Sequence, residues 1–209
     1  MKEWEAEHPK AKLMARKREA ILDAARSAFL EFGYGGASME TIAASAGVSI
    51  MTLYRHADSK DDLFAAVIET ACHPADRAEQ ARLEDSLKKS LRDILVFVGI
   101  MFQERVASAE TTTLFRAVMV ETKRFPHLGG MAYNGLIGSH QSALEAFLAE
   151  RGETAGLDTS ARQRLASDFL NNLLGMDCFG VLLGLPGLSE TIRRERAEKA
   201  ADALLRALA

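Results

Sequence analysis

Met39-Glu40-Thr41-Ile42-Ala43-Ala44-Ser45-Ala46-Gly47-Val48-Ser49-Ile50-Met51-Thr52-Leu53-Tyr54-Arg55-His56 is the stretch that decides how this chain of 209 residues folds. Ser38 just before it and Ser49 within it suit helix N-caps, because a short hydroxyl side chain accepts from the free N–H groups of a helix start. Two short helices are expected, Met39 to Ala46 and Ile50 to His56, joined by the tight turn Gly47-Val48-Ser49. Three residues restrict how they meet. Ala43 is small enough for the second helix to cross close over it. Gly47, four residues on, tolerates the positive φ that the turn needs. Leu53 faces inward, and Ile42 and Val48 complete a small core. These demands together describe a helix-turn-helix.

In that motif the second helix lies in the DNA major groove with its N-terminus leading. Its outward side chains would be Ile50, Met51, Tyr54 and Arg55. Thr52, Tyr54, His56 and Lys60 reach phosphate oxygens, and Thr41 and Ser49 complete the candidate contact set. A helical hairpin packed for its own sake does not account for Tyr54-Arg55-His56 on the exposed side. Charge points the same way. Residues 9–60 carry eight Lys/Arg against five Asp/Glu, residues 61–209 carry 17 against 21, and the whole chain stands at −3. A basic head on an acidic body fits a chain whose head alone meets phosphate. So small a difference also fits ordinary surface charge.

Working outward, residues 1–15 read as a flexible, partly basic arm. Helix one is expected from Arg16 to Phe32, with Ile21, Leu22, Ala25, Phe29 and Phe32 on its apolar face and Gly33, Gly35 and Gly36 ending it. Ser59 caps a helix from Lys60 to Cys72 whose inner face is Leu63, Phe64, Val67 and Ile68. Pro74 marks a boundary, giving a DNA-binding domain over 16–72 and a second domain over 73–209. There the periodicity predicts helices Asp76–Val106, Thr111–Arg124, Leu128–Arg151, Thr159–Leu185 and Ser189–Leu208. Breakers at Phe125-Pro126, 152–158 and Pro186-Gly187 separate them. No strand signal appears, so the fold class is all-α: a three-helix helix-turn-helix domain followed by a helical bundle. With 48% hydrophobic residues the chain can bury a real core, which excludes disorder as the default.

The second domain has more apolar surface than one face per helix can bury. Phe169–Leu185 is apolar almost all round, and the last helix carries Ile192, Ala197, Ala200, Ala201, Leu204 and Leu208 as a stripe. Two copies of this helix pair would form a four-helix homodimer interface. Phe97, Met101, Phe102, Phe115, Met119, Tyr133, Ile137, His140, Phe169, Asn172 and Met176 suit a malleable apolar cavity for a small effector. The same residues also suit plain core packing. No HExxH or comparable spacing appears, so no metal or cofactor is expected. There is no nucleophile–base pair, phosphate loop or supported carboxylate pair, which argues against an enzyme. Cys72 and Cys178 read as free thiols of a reducing compartment. Met1–Arg18 is charged and lacks the apolar run of a signal sequence. Asn171, Asn172 and Asp177 interrupt the longest apolar run, so a cytoplasmic chain without a membrane span is expected.

Residues 17–68 resemble the DNA-binding domain of the TetR/AcrR repressors. The resemblance rests on Ile21-Leu22-Asp23-Ala24-Ala25, Phe29-Leu30-Glu31-Phe32-Gly33-Tyr34, Thr41-Ile42-Ala43, Ala46-Gly47-Val48-Ser49, Thr52-Leu53-Tyr54-Arg55-His56 and Ser59-Lys60-Asp61-Asp62-Leu63-Phe64. It implies phosphate contacts from Thr52, Tyr54, His56 and Lys60, with positions 49–51 and 54–55 facing bases. Residues 111–205 resemble the AefR-like C-terminal domain through Leu114-Phe115-Arg116, Glu121, Arg124-Phe125-Pro126 and Leu182-Leu183-Gly184-Leu185-Pro186. This implies a regulatory domain without naming its effector. Two positions depart from the family. Ile50-Met51 replaces the usual basic or polar residue followed by glycine, which favours thymine-methyl contacts over hydrogen-bonded readout. Ala57 replaces the usual aromatic, so Tyr34 or Phe64 must fill the space or the head is less rigid. The expected mechanism is a dimer on a pseudo-palindrome, released when an effector changes the separation of the heads through the junction at 69–76.

Overall fold

The structure is a computed structural model that describes residues 9–72, 81–82 and 85–208. Among them every regular element is helical. They divide into two compact units. One holds the residues up to Thr70 together with Ala117–Ala132, and the other holds Ala71–Arg116 and the chain from Tyr133 onward.

The first unit contains α1 (Pro9–Gly36), α2 (Met39–Ser45), α3 (Ile50–Tyr54) and α4 (Lys60–Cys72). Helix α1 starts earlier than expected, so residues 9–15 are helix rather than arm, and residues 1–8 of that arm lie outside the described residues. Gly33, with φ +68°, kinks α1, and the chain then continues helically to Gly36. Ser59 caps α4, its Oγ accepting from the Asp62 N–H at 3.0 Å. The core gathers Ile21, Ala25 and Phe29 of α1, Ile42 and Ala43 of α2, Leu53 of α3, and Leu63, Phe64 and Ile68 of α4, all buried. Each large apolar side chain there contributes about 1.5–3 kcal/mol of burial.

In the second unit the expected long helix from Asp76 is broken. Its start and the Pro74 junction lie outside the described residues, and α5 (Leu91–Ala107) begins afresh at Ser90, whose side chain caps it through the Asp93 N–H. Helix α6 (Ala109–Glu121) starts in this unit and ends in the first, and α7 (His127–Tyr133) comes after it. A π turn over Asn134–Gly138 leads into α8 (Ser139–Ala149), then a 3-10 turn at Gly152–Thr154 and α9 (Thr159–Leu174). The expected helix to Leu185 stops at Gly175, whose φ of +56° breaks the helical path. The short α10 (Asp177–Leu182) and the final α11 (Glu190–Arg206) complete the unit.

Helix α5 packs against α11 and α9, and α8 packs against α9. Gly99 lets the first three meet: a Cβ there would stand 3.1 Å from Leu173 and 3.2 Å from Ala197. The stripe expected to face a partner subunit is thereby consumed inside the chain. Ala197, Ala200, Ala201 and Leu204 of α11 are buried in the unit's own core, while Ile192 stays exposed.

Candidate nucleic-acid interface

The turn between α2 and α3 has the geometry that the sequence demands. Gly47 stands at φ +64° with nothing within 4 Å of a would-be Cβ, so glycine serves the backbone conformation there and not a close approach. The Val48 N–H donates to the Ala43 carbonyl at 3.0 Å, closing the turn. Ser49 Oγ accepts from the Thr52 N–H at 3.2 Å and lies 2.8 Å from Thr52 Oγ1. Ser38 treats Thr41 alike, at 3.1 and 2.8 Å. Both expected N-caps are therefore made. Fully buried Leu53 pins the inner side of α3, and the outer side is left open: Met51 is 69% exposed, Tyr54 46%, and Arg55 is also exposed. Thr41 and Ser49 are exposed, whereas Ile50 and Thr52 are half-buried.

Two expected phosphate contacts have more complicated surroundings. His56 is half-buried and its Nε2 is covered without a hydrogen-bond partner. Burial lowers its pKa below the ordinary 6.5, and the charges of Arg18 and Lys17 lower it further. In the free protein His56 therefore does not present this nitrogen to a phosphate. Lys60 donates to the Tyr34 and Ala37 carbonyls at 2.9 and 3.1 Å, with its ammonium 4.4 Å from the Tyr34 ring centre. Two of its three N–H groups hold the link between α1 and α2, which leaves one for a phosphate.

Around Lys60 the structure adds a constellation that sequence reasoning did not assign. The Tyr34 hydroxyl donates to Asp61, whose same oxygen lies 3.2 Å from His127 Nε2. The hydrogen bond from Tyr34 is the main reason Asp61 sits below the usual carboxylate range, with His127 adding to it. Burial, then Asp61, push the Tyr34 phenol well above its ordinary value. Tyr34 also stacks on Phe29 at 5.8 Å and meets Phe64 and Phe125 edge-on at 5.4 and 5.0 Å. Ala57, in place of the family's aromatic, is buried in the same unit, where these rings pack on one another in stacked and edge-on geometry. The segment 121–127 reaches Tyr34 because its neighbours are glycines. A Cβ on Gly33 would collide with the Glu121 carboxylate, and one on Gly35 would stand 3.0 Å from Arg124 Nη1 and 3.2 Å from the Phe125 ring. Gly33-Tyr34-Gly35 and Arg124-Phe125-Pro126 were both visible in sequence; their pairing is a tertiary fact.

The residues expected to line an effector cavity do not form one set. Phe102 is buried and meets His140 at 5.0 Å, and His140 Nδ1 lies 2.6 Å from the Leu136 carbonyl. Phe169 is buried beside Gly99. Phe97, Met101, Phe115 and Ile137 are half-buried. Met119, Tyr133, Asn172 and Met176 are exposed, which corrects the expectation of an enclosed lining. Tyr133 closes α7 and stands open there, directly before the π turn over Asn134–Gly138. Met176 comes after the Gly175 break and leaves the path of α9, and at 81% it is among the most exposed apolar side chains. Asn172 lines an outer groove with Leu165, Asp168, Ala203 and Ala207, between α9 and α11. Among the described residues no cluster of three or more His, Cys, Asp or Glu is placed to hold a metal, and no helix is long and apolar enough to cross a membrane.

Family models match both parts of the chain. Residues 21–67 match "Bacterial regulatory proteins, tetR family", and residues 93–209, more than half of the chain, match "AefR-like transcriptional repressor, C-terminal domain". The chain belongs to the TetR family. This TetR-family chain is 29% identical to the HTH-type transcriptional regulator UidR of Escherichia coli over 182 residues, 85% of either protein. It is 32% identical to the HTH-type transcriptional repressor AcnR of Corynebacterium diphtheriae over 82 residues, 39% of this chain and 42% of that relative. Among solved structures it is similar to the Flavonoid-responsive Regulator FrrA, with a TM-score of 0.63 and 29% identity over 92% of this chain and 97% of that one. It is an all-helical transcriptional regulator whose helix-turn-helix stands at α2–α3.

Proposed function

We propose that this regulator represses transcription as a homodimer on a pseudo-palindromic operator, and that a small apolar or amphipathic effector bound by its C-terminal helices releases it. The observation that carries the reading is α3, anchored by buried Leu53 and capped by Ser49, with Met51, Tyr54 and Arg55 directed outward. Ser49 faces bases beside Ile50 and Met51, which favour thymine methyls, Arg55 supplies a hydrogen-bonding fork, and Thr41, Thr52, Tyr54 and Lys60 position the head on phosphates. One five-residue helix covers only a half-site, so reading a full operator calls for two heads. The outer groove between α9 and α11 and the exposed side chains of Met176, Phe179 and Leu183 support a subunit interface in this unit. An effector is supported by the AefR-like domain and by the likeness to a regulator named for its response to flavonoids. In this reading the protein acts in the cytoplasm by binding and not by catalysis, and needs no cofactor.

A footprint on DNA flanking the protein's own gene tests it. The expected result is two protected half-sites with centres about 10–10.5 base pairs apart, or a multiple of that. Uniform, sequence-independent protection would sink the reading. One observation favours effector-independent binding instead. The cleft among α5, α9, α10 and α11 has a volume of about 30 Å³, far below the roughly 300–1,000 Å³ of drug-sized sites. Operator affinity that stays constant across every small-molecule fraction of a cell extract would select that alternative.

A further inference from the structure

The cleft that is too small for a drug-sized ligand has an unusual interior. It is walled by apolar side chains, among them Val106, Val181 and Leu188, and Gln103 and Arg193 line it too. Gln103 is only 6% exposed. Its amide orientation is fixed, because Nε2 donates to the Gly99 and Arg193 carbonyls at 3.1 and 3.0 Å. Oε1 is consequently turned the other way, buried and without a partner. Arg193 donates through Nη1 to the Leu188 carbonyl at 2.6 Å and through Nη2 to Glu104 at 3.2 Å, while its Nε is buried and unpartnered. An acceptor and a donor thus stand unsatisfied at one apolar cleft. Buried polar atoms in that condition are costly, and native proteins satisfy them with water or a ligand.

We infer that this cleft is a binding site for a small neutral molecule with a hydroxyl group on an apolar body, the hydroxyl donating to Gln103 Oε1 and accepting from Arg193 Nε. The chemistry selects against the alternatives. A carboxylate has no proton to give Gln103 Oε1, and Asp177 lines the same cleft. An ammonium would meet the Arg193 guanidinium and offers no lone pair to Nε. A hydrocarbon would leave both groups unsatisfied. A hydroxyl serves both, and the limited volume restricts the body to a few carbons unless Val181 and Leu188 move outward. The inference names a site and a ligand class for the effector of the proposed function. It rests on that reading for its regulatory meaning but not for occupancy.

Cys178 lines the cleft as a half-buried free thiol and provides the readout. Burial pushes its pKa up, so alkylation is followed near pH ~8.5, where an ordinary thiol is half ionised. The full chain carrying Cys72→Ser is alkylated with iodoacetamide in the presence of 1-butanol, butyrate or butylammonium, which share a body and differ in head group. With 1-butanol at about ten times its Kd, alkylation is expected to slow about tenfold. Butyrate and butylammonium are expected to leave it within twofold of the unliganded rate at the same concentration. Gln103→Leu should abolish the 1-butanol effect. Arg193→Lys, which keeps the charge and removes Nε, should weaken it, with circular dichroism checking that both variants fold. Equal protection by all three head groups, or none by 1-butanol in the unmutated pair, would overturn the inference. Operator binding is read in the same samples by anisotropy. Protection of Cys178 without release of DNA would uphold the cleft as a site and count against the effector reading, so the two failures are distinguishable.

Discussion

The two units of this protein put their apolar residues to different use. In the first, Ile21, Phe29, Ile42, Leu63, Phe64 and Ile68 of α1, α2 and α4 close a core around Leu53, and the apolar side chain most exposed on the helix-turn-helix, Met51, sits where DNA would be read. In the second, Gly99, Ala197, Phe169 and Leu173 close a core, yet Met176, Phe179, Leu183 and Leu185 lie open in a run of ten residues. Each unit therefore needs something different in order to be complete. The head closes its core within one chain, and outside its reading surface it leaves Phe32 and Val120 open as well. The body leaves apolar surface and unsatisfied polar groups, which are the features that partners and ligands cover.

Damage to the head's core challenges this contrast most severely. Leu53→Ala removes a fully buried anchor and should cost about 2–5 kcal/mol, seen as a lower thermal unfolding midpoint and loss of operator binding. A cost near zero would mean that α3 is not held as described. Next is the glycine at the kink of α1. Gly33→Ala should cost about 1–3 kcal/mol through its positive φ, and more than Gly47→Ala because the Glu121 carboxylate must also move. Adding Glu121→Ala should recover the second part and not the first, as read by urea unfolding.

Lys60→Ala tests the double role of that residue. Losing its bonds to the Tyr34 and Ala37 carbonyls should cost about 1.5 kcal/mol, the low end for charged donors because the side chain is half-exposed. Losing a phosphate contact should weaken binding to all DNA sequences and reduce the salt slope by about 1. A stability loss with an unchanged salt slope would restrict Lys60 to structure.

Acid sensitivity follows from two lowered pKa values in the head. Asp61 is held below 3.8 in the fold, so its contribution is present above that value and is lost as pH falls through the lowered one. His56 is held below 6.5, so the unfolded chain binds a proton that the folded head resists, and stability declines as pH drops beneath 6.5. Thermal midpoints between pH ~7 and ~3 should fall in two stages, the lower flattened by Asp61→Asn and the upper by His56→Gln. Met176→Ala should alter the stability of an isolated chain by no more than about 0.5 kcal/mol. A larger loss that grows on dilution would place Met176 in the subunit interface.

Much of the head was legible in sequence because its constraints are local. Ser38, Ser49 and Ser59 each cap the helix next to them, Gly47 takes the positive φ its turn requires, and Ala43 and Leu53 are buried as the motif demands. The breaks in the body were harder to see. Ser90 interrupts an unbroken apolar periodicity, Gly175 halts a run of good helix formers, and a π turn at Asn134–Gly138 has no simple sequence signature. The packing of Phe125 and His127 against Tyr34 and Asp61 joins residues some 65–90 positions apart and follows from no local pattern. The same holds for Gln103, whose polar side chain directly after the apolar run 94–102 was the available hint and whose meaning depends on α11.

Whether α3 reads DNA through its exposed face is decided by titrating the unmutated protein and Met51→Gly on the operator and on a scrambled duplex at fixed salt. If it does, Met51→Gly loses about 1–3 kcal/mol of operator affinity, the scale of one mismatched base pair, while its binding to the scrambled duplex is unchanged. Equal weakening on both duplexes, or no change on either, would contradict that role for α3.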